Sequence, residues 1–166
     1  MDFVKRFMRH VWMSPIQRKR MFPQATLDAI ENVIAEGEKT HAGEIRFVVE
    51  AELTAGQLWA DVNSRVRAID VFSELRIWDT EQNNGVLLYV LLADRKVEIV
   101  ADRGIDRIVG PDRWRAICKE IELRYRRGEF LEGTRIGIEK IAAELAHVFP
   151  AHGEKRNELP DKPVVM

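Results

Sequence analysis

The chain has 166 residues, 46% of them hydrophobic and 32% charged, with a formal net charge of -1. That is enough apolar content for one packed domain and too little chain for two. The balanced charge lacks the basic excess of a general nucleic-acid binder, so no nucleic-acid partner is expected. Cys118 is the single cysteine, which rules out an internal disulfide, and no apolar run reaches the roughly 20 residues that a spanning helix needs.

Residues 1–22 read as a basic amphipathic segment. Within residues 1–20, Lys5, Arg6, Arg9, Arg18, Lys19 and Arg20 stand against Asp2, a local excess of +5 on an otherwise acidic chain. Phe3, Phe7 and Val11 recur at spacing four, as do Val4, Met8 and Trp12, so a helix here carries an apolar face and a basic one. Lys5, Arg6, Arg9 and His10 interrupt the apolar core that a secretory leader would need, and a cytoplasmic location is expected. The apolar face has two readings. Either it contacts an anionic lipid surface from the inner side of a membrane, or Phe3, Phe7, Val11 and Trp12 pack on the domain or on a second copy of it. Ser14-Pro15 ends the helix, because a residue before proline avoids helical geometry.

Residues 23–150 form the domain. Pro23 suits the first turn of a helix whose stripe is Leu27, Ile30, Val33 and Ile34, running to Gly37. A strand follows from Glu44 to Leu53, with Ile45, Phe47 and Val49 on one face. One long helix is expected from Gly56 to Arg76, with Leu58, Trp59, Val62, Val66, Ile69, Phe72 and Leu75 facing inward. The next strand, Val86–Leu92, is apolar on both faces, as a central strand covered from two sides should be. Strand–helix–strand order makes the two strands a parallel pair with a right-handed crossover. Ala93-Asp94-Arg95-Lys96 turns the chain into an antiparallel strand, Val97–Ala101. Pro111 starts a helix with Trp114, Ile117, Cys118, Ile121 and Tyr125 in register, Gly128 breaks it, and a last helix runs from Leu131 to Phe149. Residues 151–166 turn polar and read as a loose tail. The sum is a three-layer α/β/α sandwich on a small mixed sheet.

Strand polarity selects a candidate site. The two parallel strands begin at one end of the sheet and the antiparallel strand finishes there, so Glu44, Asn83, Asn84, Asp102 and Asp106 converge. Carboxylates and amides are the hard oxygen ligands suited to calcium or magnesium, and glycines at 43, 85 and 104 permit tight turns. Turn formation alone also explains such a cluster, since Asx and glycine residues collect at strand ends. His10, His41, His147 and His152 are scattered, which argues against zinc. No phosphate-cradling loop, serine elbow or histidine-paired nucleophile is present, so the chain reads more as a binding module than an enzyme, and no organic cofactor is implied.

The run NNGVLLYVLLADRKVEIVADRGID, with YRRGEFLEGTRIGIEKIAAEL and the closing HVFP, resembles a TPM domain over roughly Glu44 to Pro150. The resemblance implies the same α/β/α fold. It also implies a choice of roles, because the family includes proteins described as acid phosphatases, calcium binders, accessory proteins of membrane complexes and thylakoid-lumen proteins linked to photosystem II repair. The thylakoid members lack the D-R-G-I-D pattern of Asp102–Asp106, so the resemblance does not place their proposed catalytic residues on this chain residue by residue. Trp12–Pro23, WMSPIQRKRMFP, resembles the opening of a short cytoplasmic branch often encoded beside a LemA-type membrane protein, which implies an envelope-associated partner. Three readings follow: a module binding a cation or a protein at the polar sheet end, a metal-assisted phosphatase using Asp102 and Asp106, and a peripheral membrane adaptor acting through the N-terminal helix.

Overall fold

A computed structural model describes residues 3–13, 15–151 and 157–166; the readings on Asp2, Ser14 and His152 lie outside them. The element order is α1 (Phe3–Trp12), α2 (Pro15–Met21), α3 (Gln24–Glu38), β1 (Glu44–Glu50), α4 (Ala55–Trp59), α5 (Ser64–Glu74), β2 (Gly85–Leu91), β3 (Lys96–Ala101), α6 (Arg103–Val109), α7 (Pro111–Arg126), α8 (Phe130–Val148) and β4 (Val164–Val165). The sheet has the order β3-β2-β1-β4. β1 and β2 are parallel, with Glu44 beside Gly85 and Glu50 beside Leu91, while β2 and β3 form the expected hairpin, with Val86 beside Ala101.

Three layers result because side-chain parity on the strands sorts the core. Ile45, Phe47 and Val49 of β1 join Val86, Leu88 and Val90 of β2 against α3, α7 and α8, whose Ile30, Ile34, Ile117, Ile121, Ile138, Ile141 and Leu145 are buried. On the other face Val48, Leu87, Tyr89, Leu91 and Val100 pack on Leu58 of α4 and on Ala68, Val71 and Phe72 of α5. β2 is thus fully apolar and fully buried, as its composition requires.

Three expectations change. The helix expected over Gly56–Arg76 is two helices. The first, α4, begins in a capping box between Thr54 and Gln57. The chain then turns at Asp61, in the left-handed region at φ 51°, and Asn63 starts α5 by accepting from the Val66 N–H. The break resets the helical phase, so Trp59 is 75% exposed and Val66 and Ile69 also face solvent. A short helix, α6, lies where only a connection to Pro111 was expected, started by Asp102. Finally, residues 157–166 are not loose. Val164–Val165 pair with Val48–Val49 as a parallel edge strand, and the Met166 and Ala51 N–H groups complete the ladder.

That last strand explains a peculiarity of β1. The face of β1 opposite the α8 core carries Glu44, Arg46, Val48 and Glu50, and all four are buried. The returning chain answers two of the charges: the Glu158 and Leu159 N–H groups donate to Glu44, and Arg46 donates to the Lys162 carbonyl at 3.1 Å. Burial lowers the Arg46 pKa, while Asp161 and Glu38 pull against that shift.

Candidate functional site

At the amino end of β1 and β2, strand polarity does bring the predicted residues to one end of the sheet, since Glu44 lies beside Gly85 and the Asp102 N–H donates to the Gly85 carbonyl at 2.8 Å. They do not form an open cleft. Glu44 is 0% exposed and Asn84 1%, and Asp102 is also buried. Parity also divides them, because Asn84 continues the α3–α8 side of β2 while Glu44 lies on the α5 side of β1.

Each polar side chain here serves backbone or a neighbouring helix. The Asn84 amide donates to the Ala42 carbonyl at 3.1 Å. Asp102 accepts from the Arg103 N–H at 2.7 Å and starts α6, and Asp106 accepts from the Trp114 indole at 3.0 Å, tying α6 to α7. Asn83 takes the left-handed turn at φ 52°. The glycines are needed for close approach, not for turning: a Cβ on Gly85 would stand 2.2 Å from the Ile77 carbonyl oxygen, and one on Gly104 2.4 Å from that of Asn83. Among the described residues no three His, Cys, Asp or Glu side chains gather as a metal group would require. Among the described residues, the buried oxygens Asn84 Oδ1 and Asp102 Oδ2 have no hydrogen-bond partner.

The carboxyl end of the same strands holds a denser arrangement. Asp94, in the β2–β3 turn, receives the Arg6 guanidinium at 2.9 and 3.1 Å and the His10 Nε2–H at 3.1 Å, with Arg9 at 3.3 Å. The Leu53 N–H donates to His10 Nδ1 at 2.9 Å, which places the ring proton on Nε2, and Arg6 also donates to the Val62 carbonyl at 2.6 Å. Burial alone would push Asp94 up, but the hydrogen bonds from His10 and Arg6 outweigh it and hold the carboxyl at about 2. Beneath this cluster Arg67 of α5 grips Glu50 with two nitrogens, at 2.9 and 3.1 Å, and reaches Glu74 at 2.8 Å. Tyr89 donates to Glu50 as well, and burial followed by that bond raises its pKa strongly.

These contacts invert the N-terminal helix. The packing reading put Phe3, Phe7, Val11 and Trp12 against the domain or a second copy of it; of these Phe7 packs on the core, while Arg6 and His10 are the buried residues of α1 and Val4, Met8, Val11 and Trp12 face solvent. Trp12 is 73% exposed and Ile16, on α2, 78%. Phe7 is half-buried and stacks with Phe3, whose ring also meets the exposed Trp59 at a tilt, 5.4 Å between centroids, which extends the outward apolar surface onto α4. The sequence carried a partial signal for this docking: Arg6 and His10 stand at spacing four on the polar face of the helix, but Lys5 and Arg9 do so as well. Asp94 gave none, because a hairpin turn is an ordinary place for an aspartate.

Cys118 packs against the core and its thiol is pushed up to about 12, by burial first and by Glu98 second, so it carries no reactive chemistry. No described helix is long and apolar enough to cross a membrane.

Comparison with known proteins bears on fold and family. The family model of the TPM domain matches residues 16–144. Among solved structures, the BA42 protein of the psychrophilic bacterium Bizionia argentinensis is similar at 33% identity and a TM-score of 0.75, covering 86% of this chain and 93% of that one. The N-terminal domain of a protein from P. gingivalis shares the fold at 18% identity and a TM-score of 0.61, covering 79% of this chain and 82% of that one. No curated protein matches.

Proposed function

Because the chain belongs to the TPM domain family, whose model spans most of it, we propose that it is a non-enzymatic docking module that settles on an anionic membrane surface through the outer face of α1 and α2. The observation that supports this reading is the inverted helix. Arg6, Arg9 and His10 are spent on Asp94, which locks the helix with Val4, Met8, Val11 and Trp12 outward. A helix held by its polar flank presents the apolar face ready-made, with no ordering cost at the moment of binding. Trp12 and Trp59 are suited to a boundary between water and acyl chains. Exposed Lys5, Lys19 and Arg20 flank the patch, and each basic residue contributes about 1 kcal/mol near an anionic surface.

Vesicle co-sedimentation tests the proposal. The protein should bind vesicles containing phosphatidylglycerol, bind less as salt rises, and ignore purely zwitterionic vesicles. Met8→Glu with Val11→Glu should abolish binding while leaving the melting temperature unchanged, because both side chains are exposed. If the wild-type protein ignores anionic vesicles but sediments as a dimer that this variant dissociates, the face is a self-association surface and the membrane reading is wrong.

A second reading, a divalent cation at the amino end of the strands, is favoured by one observation: the buried Asp102 Oδ2 and Asn84 Oδ1 lack hydrogen-bond partners among the described residues. Calcium or magnesium should then raise the melting temperature of the wild type and not of Asp102→Asn with Asp106→Asn. Equal shifts in both proteins reject it, and with it the metal-assisted phosphatase.

A further inference from the structure

A cavity of about 620 Å3 opens beside the carboxyl end of β2, between the α1–α2 junction, the β2–β3 turn and the end of α7. Its apolar wall includes Met13, Met21, Leu92 and Phe130, and its polar lining includes Arg95 and Arg126. The size is that of a small-molecule pocket, and the place is where open α/β sheets gather their ligands, outside the carboxyl ends of parallel strands. Charge gives the chemistry. Glu122 also lines the cavity, but its carboxylate accepts from the Val97 N–H at 3.2 Å and pairs with Lys96, so its charge is answered. Neither the Arg95 nor the Arg126 guanidinium has a hydrogen bond or ion pair among the described residues. Two unanswered guanidiniums at an apolar cavity match an anion with an apolar body, because a planar fork reads a carboxylate with two parallel hydrogen bonds.

We propose that this cavity binds a small amphipathic carboxylate, its apolar body against Met13, Met21, Leu92 and Phe130 and its head on Arg95 and Arg126. The site is separate from the outer face of α1: Val4, Met8 and Val11 do not line it. A failure of vesicle binding therefore leaves it standing, and the reverse holds too.

The chain supplies its own probes. Met13 and Met21 line the cavity while Met8 lies on the outer face of α1, so methyl-labelled methionine reports site and control together in one NMR titration. Octanoate, kept below its micelle concentration, should shift Met13 and Met21 saturably and leave Met8 unmoved. Arg95→Gly with Arg126→Ala should weaken that binding at least tenfold. Both side chains are exposed, and Arg95 sits at φ 54°, where glycine is at ease, so the variant should melt no lower than the wild type. Acetate, which lacks the body, and 1-octanol, which lacks the charge, should each bind at least tenfold more weakly. The proposal is overturned if octanol binds as tightly as octanoate, if the double variant keeps its affinity, if the shifts fall on Met8 instead, or if nothing saturates.

Discussion

At the amino end of β1 and β2 the polar side chains serve the backbone or a neighbouring helix; at the carboxyl end charged side chains pair with one another. Asp102 caps the turn that becomes α6, Asn84 holds the Ala42 carbonyl, and Glu44 receives two N–H groups of the returning chain. Across the sheet, Asp94 joins Arg6 and His10 of a helix more than eighty residues away, and Glu50 joins Arg67 of α5. The difference decides what a substitution costs. Removing a carboxylate that caps backbone gives up one hydrogen bond that water can partly replace. Removing one that neutralises a buried guanidinium strands a charge in a medium that cannot solvate it.

The sharpest way to break the comparison is Asp94→Ala. With Arg6 and His10 left facing a vacancy, the expected loss is about 3–5 kcal/mol of unfolding free energy in urea, with α1 exchanging its amides before the core does. A loss below about 1 kcal/mol would place this cluster with the weak surface pairs.

Acid titration gives the next effect. The Asp94 carboxyl sits at about 2 in the folded chain, below its ordinary 3.8, so its contribution is full above the unfolded value and vanishes as pH falls through the folded one. That contribution is about 2 kcal/mol, lost between roughly pH 4 and pH 2. Wild type and Asp94→Asn should therefore converge in stability over that window. Curves that stay parallel would show that the carboxyl is not held low.

The smallest effect belongs to the amino end. Asp102→Ala should cost about 1 kcal/mol or less, the ordinary price of a lost helix start, and Asp102→Asn less still. A loss as large as that of Asp94→Ala would mean that both ends of the sheet depend on buried charge, and the contrast would fail.

Much of this fold was readable because its periodicities are strong. The all-apolar β2, the hairpin turn between β2 and β3 and the stripes of α3, α7 and α8 each report a local burial pattern. The break between α4 and α5 was not, because Asp61 and Asn63 resemble exposed helix residues until the chain is seen to turn there. The candidate cation site was half legible. Strand polarity brought Glu44, Asn84 and Asp102 to one end, but polarity says nothing of burial, and all three are buried there in contacts with the backbone.

By itself the sequence determined the layers and the strand directions, since those follow from which residues must leave water and at what spacing they recur. Only the tertiary structure decided which flank of α1 faces inward and why β1 can bury three charged side chains. Both depend on partners distant along the chain: Asp94 for the helix, and residues 157–166 with Arg67 for the strand. An amphipathic pattern states that a helix has two faces. Which face is buried depends on what it meets, and here a buried carboxylate in a hairpin turn outweighed the apolar stripe.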